Sequence, residues 1–141
     1  MTGRIIIGIL AGIVAAIAAV WAVEMISHLL HPLPASLDIW NRPQVGDYIR
    51  SMPAAAQALV VLAWLLGPLI GGALAVRIAE RRWAAWPVAG LIAVAGIANI
   101  LYYSHPLWMQ LAAAAAPLLG GLIASRTAPR AARPIEEGAA S

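Results

Sequence analysis

The stretch PLIGGALAVR, residues 68–77, has a counterpart later in this chain in PLLGGLIASR, residues 117–126. A second repeat lies upstream of each copy, where His-Pro-Leu occupies residues 31–33 and again 105–107. Each half therefore reads as an apolar segment, His-Pro-Leu, an apolar segment with proline and Gly-Gly, and then arginine. Internal symmetry of this kind in a hydrophobic chain predicts a membrane bundle built from two like-oriented halves.

The composition also indicates a membrane protein. The chain has 141 residues, of which 62% are hydrophobic and only 11% are charged, whereas about a quarter of the residues of a soluble domain are charged. A helix needs roughly 20 apolar residues to cross a hydrocarbon core about 30 Å thick. The segments of sufficient length are 5–30, 54–76, 84–103 and 107–125.

These segments predict an all-α membrane protein with four transmembrane helices. We expect residues 1–126 to form a single domain of two tandem hairpin repeats, at about 5–82 and 84–130, related by a pseudo-two-fold axis along the membrane normal. Residues 127–141 are rich in Pro, Arg, Ala and Glu, and this composition predicts a disordered cytoplasmic tail.

The first loop is longer than the other two and reads PASLDIWNRPQVGDYIRS over residues 34–51. Asn41 followed by Pro43 is typical of a helix start. We therefore expect a short helix at about 43–52, whose apolar residues would hold it at the outer interface or across the end of the bundle.

The positive charges predict the orientation. All nine basic side chains are arginines, and the first loop has only Arg42 and Arg50. The amino terminus, second loop and tail hold the others, Arg4, Arg77, Arg81, Arg82, Arg126, Arg130 and Arg133. The positive-inside rule then places both termini in the cytoplasm. A pI of about 10.2 would be compatible with nucleic-acid binding, but the arginines are distributed as the membrane topology requires, so we predict no nucleic-acid partner.

The two Pro-x-x-Gly-Gly motifs predict helix kinks and close helix packing. A proline within a helix removes one backbone hydrogen bond, and glycine lets two helix backbones approach closely. Kinks here would serve packing, which we favour, or act as gating hinges. The motif residues are Pro68, Gly71, Gly72, Pro117, Gly120 and Gly121.

The candidate functional residues gather at the predicted outer side. Glu24 is the only acid inside a predicted span, and His28 and His31 follow at i+4 and i+7, on the same helix face. Asn99 lies in the outer quarter of the third span, and His105 lies in the short loop after it. Glu24, His28 and Asn99 are the primary candidates for a ligand or proton site. Secondary outer-face candidates are His31, His105 and Trp108.

Three interpretations of this cluster remain open, in decreasing order of weight. In the first, Glu24 hydrogen-bonds Asn99 or His28 to fix helix packing, while His31 and His105 cap helix ends. In the second, Glu24 and His28 bind a polar or cationic ligand or relay protons. In the third, Glu24 and the three histidines bind a divalent metal such as zinc. No other cofactor is predicted, and the absence of cysteine excludes a thiolate site.

Comparison of the two halves favours Glu24 and His28 among these residues. When the halves are aligned through His-Pro-Leu, Glu24 corresponds to Ala98 and His28 to Tyr102. In a duplicated bundle, the functional residues often lie where the two copies differ, because the residues that the copies share maintain the helix packing.

No catalytic site is predicted. Ser104 adjoins His105, but neighbouring residues do not naturally face each other, and no second carboxylate pairs with Glu24 for acid–base chemistry. The sequence therefore favours a protein that is not an enzyme.

Two short motifs resemble those of a known family. VEMISH, residues 23–28, and SHPLWM, residues 104–109, are similar to motifs in a family of small uncharacterised four-helix inner-membrane proteins of bacteria. In that family the second motif resembles Pro-His-Pro-x-Trp, and here Ser104 replaces the leading proline. The resemblance implies a multi-pass protein of the bacterial inner membrane and implies no activity.

The sequence thus predicts a small inner-membrane protein with ligand binding or proton-linked transport at an outer-face site around Glu24 and His28. The alternative is an accessory or structural subunit that packs against a larger membrane complex and has no site of its own. One four-helix bundle encloses little volume, so we expect a homo-oligomer or a larger complex in the bilayer.

Overall fold

The computed structural model describes residues 2–127, which are all-helical and contain no β-strand. A 3-10 turn at Arg82–Ala84 precedes the fourth α-helix. The α-helices are α1 Thr2–Leu30, α2 Arg42–Ser51, α3 Ala54–Ala79, α4 Ala85–Tyr102 and α5 Leu107–Ser125. Apart from Thr127, the predicted tail lies outside the described residues.

Four of these helical segments are long and apolar enough to cross a membrane. They are Thr2–Leu30, Ala54–Ala79, Arg82–Tyr102 and Leu107–Ser125. The predicted all-α class and the four candidate spans are confirmed, and the predicted segment ends differ from the helix ends by at most three residues.

Helix α3 packs against α1, α4 and α5, and its Gly-Gly pair makes two of these contacts close. A Cβ added at Gly71 would clash with the carbonyl oxygen of Gly12 on α1. A Cβ at Gly72 would lie 2.9 Å from the Ala124 Cβ on α5. Adjacent residues of a helix point in different directions, so the two glycines admit two different neighbours.

The second Gly-Gly pair plays a similar part in α5. A Cβ at Gly120 would clash with the carbonyl oxygen of Leu65 on α3, and a Cβ at Gly121 would lie 2.5 Å from the Ala89 Cβ on α4. Pro68 and Pro117 are fully buried inside α3 and α5, which continue through them as single helices.

Helices α1 and α4 are in close contact in the half of the bundle that contains Thr2. A Cβ at Gly12 would lie 3.1 Å from Val88 Cγ2, and Ala16, Val88 and Ile92 belong to one buried apolar cluster. At the Thr2 end, Arg4 forms an exposed 2.8 Å ion pair with Glu80. Exposed pairs of this kind contribute little stability.

Helix α2 lies across the opposite end of the bundle, called here the α2 end. Its start is fixed by Asn41 Oδ1, which accepts a hydrogen bond from the Gln44 backbone N–H. Gly46 packs against Ser104, and Gln57 Nε2 donates to the Ile49 carbonyl oxygen at 2.9 Å. The short helix predicted from Asn41 and Pro43 is confirmed, one residue earlier than expected.

Candidate functional site

A cavity of about 630 Å³ lies at the α2 end, between α1 and α4. It adjoins the buried apolar cluster that contains Ala16 and Ile92, and Ile92 itself lines the cavity. Small-molecule sites in proteins commonly have volumes of about 300–1,000 Å³, so this cavity is large enough to hold an organic ligand.

Two helical stripes form facing walls of the cavity. Ile17, Val20, Trp21, Glu24 and His28 line it from α1. Ile92, Ala95, Gly96 and Asn99 line it from α4. Both sets follow the three- and four-residue spacing that places side chains on one helix face.

The remaining walls are mostly apolar. Val60 and Trp64 of α3 and Met109 of α5 also line the cavity. The roof is α2, which contributes Val45, Tyr48, Ile49 and the adjacent Met52. Because α2 carries these apolar side chains towards the cavity, its position determines how the site is closed at this end.

The cavity brings together most of the polar residues proposed from the sequence. The primary candidates Glu24, His28 and Asn99 all line it, as do the secondary candidates His31 and His105. Trp108 does not line the cavity, and its side chain is exposed on α5. Residues that are distant in sequence, on α1, on α4 and in the loop after it, therefore share one cavity.

Glu24 forms no hydrogen bond and no ion pair within the described part of the chain. The two ion pairs found there are Arg4–Glu80 and Arg50–Asp47. No hydrogen bond joins Glu24 to His28 or Asn99 among residues 2–127. Of the residues from 2 to 127, Glu24 is the only acid that lines the cavity, and no arginine in this range lines it.

The two loop histidines differ in their hydrogen bonding. His105 is buried, and its Nδ1 donates a hydrogen bond to the Tyr103 carbonyl oxygen at 2.8 Å. This bond assigns the proton to Nδ1 and leaves Nε2 as an acceptor in the neutral ring. His31 Nδ1, by contrast, is buried without a hydrogen-bond partner among the described residues. A buried polar atom of this kind needs a partner, and His31 lines the cavity.

The histidines and Glu24 share the cavity without forming a compact metal-ligand set. No group of three or more His, Asp or Glu residues between 2 and 127 is positioned to hold a metal ion. Zinc ligands lie about 2.0–2.3 Å from the metal, so the four side chains would have to move towards one another to bind it.

Sequence reasoning missed the aromatic part of the site. Trp21 and Trp64 lie within spans and line the cavity, where Trp64 stacks at a tilt against His105 with ring centroids 6.4 Å apart. Tyr48 and Tyr103 also line it. The available signal was the position of Trp21 three residues before Glu24, on the same helix face.

The chain matches no protein-family model, no curated protein and no solved structure.

Proposed function

We propose that this chain is a small multi-pass membrane protein that binds a ligand in the cavity around Glu24, His28 and Asn99. The observation that carries the proposal is the placement of Glu24 in the wall of a cavity of about 630 Å³, with no hydrogen bond or ion pair to any residue between 2 and 127. A carboxyl group inside a membrane span is rare and is typically retained for function, although its cost is lower near the end of a span, where Glu24 lies, than at the centre. A ligand would provide the partner that the described residues do not.

The purely structural interpretation requires Glu24 to be hydrogen-bonded to Asn99 or His28 in a dry interior. The cavity separates α1 from α4 at this level, and the bond is absent from the described residues.

Proton-linked transport is an extension of the same proposal, because carboxyl and imidazole groups serve as proton relays in membrane proteins. The bundle is closed below the cavity by the contacts among Gly12, Gly71 and Val88. Transport would therefore require a second conformation or a second copy of the chain, whereas binding requires neither.

For the location of the site, we propose that the α2 end faces the outside of a bacterial inner membrane and that both termini are cytoplasmic. Support comes from the arginines, which are concentrated at the Thr2 end and in the loop between α3 and α4.

The binding proposal is tested by filling the cavity. Ala95 and Ala98 are both exposed residues of α4, and of the two only Ala95 lines the cavity. We expect native mass spectrometry of the chain released from native-lipid nanodiscs to show a bound small molecule in the wild type and in Ala98→Phe. We expect Ala95→Phe to lose this molecule because the added ring occupies its space.

Equal occupancy in the two alanine variants would contradict the proposal. A wild-type chain recovered without any bound small molecule, in a stoichiometric complex with another membrane protein, would also contradict it. That second result would support the alternative, an accessory subunit without a site of its own.

A further inference from the structure

We infer that the ligand is a lipophilic organic cation, a molecule with one positive charge on an apolar, partly aromatic body. This inference rests on the proposed function and specifies the class of molecule that the cavity takes.

The charge of the ligand follows from the charged groups around the cavity. The titratable side chains that line it are Glu24, His28, His31, Tyr48, Tyr103 and His105. Among residues 2–127, the lining has one carboxyl group, that of Glu24, and no arginine. An isolated carboxylate away from water is unfavourable unless it is paired. A monovalent cation supplies that pairing, while an anion would place a second negative charge beside Glu24.

The apolar body of the ligand follows from the walls. Apolar side chains of all four long helices and of α2 surround the cavity, so a bound molecule would mostly contact apolar groups. Trp21, Tyr48, Trp64 and Tyr103 add aromatic rings, whose faces attract organic cations. A strongly hydrated cation such as Na⁺ would lose its water here and gain one carboxylate, which favours a weakly hydrated organic cation.

The route by which a ligand would enter the cavity also favours a lipophilic molecule. Helix α3 packs along one side of α1 and α4, and the described residues place no helix across the gap on the other side. Trp21, at this gap, is 62% exposed. A ligand dissolved in the bilayer can therefore reach Glu24 between α1 and α4, and molecules that partition into lipid have the apolar body that the cavity favours.

The test compares two probes of the same shape and opposite charge, tetraphenylphosphonium and tetraphenylborate. Binding is measured by isothermal titration calorimetry with the full chain in a neutral detergent. We expect the wild type to bind tetraphenylphosphonium and not tetraphenylborate. We expect Glu24→Gln to lower the affinity for tetraphenylphosphonium at least tenfold, and Glu24→Asp, which keeps the charge, to retain most of it.

The matched control is Glu80→Gln, the same chemical change at the Thr2 end of the bundle, where Glu80 pairs with Arg4. It should bind tetraphenylphosphonium as the wild type does. Three results would contradict the inference that the ligand is a cation. They are an unchanged affinity of Glu24→Gln for tetraphenylphosphonium, equal binding of tetraphenylborate by the wild type, and no binding of tetraphenylphosphonium by the wild type.

Failure of this inference is distinguishable from failure of the proposed function. If Ala95→Phe removes the co-purified molecule while the two probes bind equally, the cavity is a binding site with a different ligand class. If Ala95→Phe changes neither the co-purified molecule nor probe binding, both proposals are wrong.

Discussion

At the scale of single residues, glycine positions provide a direct test of the helix packing. A Cβ at Gly71 would clash with the Gly12 carbonyl oxygen and lie 2.7 Å from the Ala16 Cβ. We therefore expect Gly71→Ala to lower the free energy of unfolding by about 1–3 kcal/mol, the usual cost of overpacking. Unfolding in mixed micelles of a mild detergent and dodecyl sulfate measures this change.

Gly90→Ala is the control, because nothing lies within 4 Å of a Cβ added there. Alanine is the better helix former by up to about 1 kcal/mol, so this variant should be as stable as the wild type or more stable. Equal stability of the two alanine variants would contradict the close contact between α1 and α3.

Part of the candidate site could be predicted from single residues in the sequence. An acid within a span is rare enough to single out Glu24, and helical spacing places His28 and His31 on its face. The sequence could not predict that Trp21 and Trp64 line the cavity and that Trp108 does not. They depend on which helix each face meets, and periodicity within one helix does not specify its neighbour.

At the scale of helices, apolar length predicted the four long elements, and capping residues predicted α2. The helix ends are less predictable, because hydropathy marks where the chain crosses the bilayer and not where the helix stops. Helix α3 continues past Arg77 to Ala79, and Glu80 ends it in the left-handed conformation with φ 54°. That conformation usually requires glycine or asparagine, so the sequence gives no signal for this end.

The cavity also arises at the scale of helices. Gly12 and Ala16 allow α1 to approach α3 and α4 closely. Beyond them, the larger side chains of Val20 and Trp21 replace these small residues, and α1 and α4 are separated by the cavity. The change from small to large residues is visible in the sequence, but the resulting gap depends on all the helices that surround it.

At the scale of the whole molecule, the orientation in the membrane has a clear test. The chain has no cysteine, so a single introduced cysteine is a unique label. We expect a membrane-impermeant maleimide, added to bacterial cells with a permeabilised outer membrane, to label Ser36→Cys and not Thr127→Cys. Arginine placement is the physical reason for this expectation.

Inverted inner-membrane vesicles are the control and should reverse the labelling. If Thr127→Cys were labelled from outside the cells and Ser36→Cys only in the vesicles, the α2 end would face the cytoplasm. A ligand site would then open towards the cell interior.

The repeat also belongs to this scale and stays a prediction. In both copies, the two glycines of Pro-x-x-Gly-Gly approach different neighbouring helices. The cavity is not symmetric in its chemistry, because Glu24 and His28 of α1 have the counterparts Ala98 and Tyr102 on α4. A duplicated frame with one modified half would account for both observations.

The central claim, an unpaired Glu24 in a cavity open to lipid, is tested most directly by dicyclohexylcarbodiimide, a neutral, membrane-soluble reagent that attaches to carboxyl groups in apolar surroundings. We expect peptide mass spectrometry of treated membranes to find its adduct on Glu24. Labelling should persist in Ala98→Phe and fall sharply in Ala95→Phe, whose ring fills the cavity. An unmodified Glu24 in the wild type, or equal labelling of Glu24 in the two alanine variants, would contradict the claim.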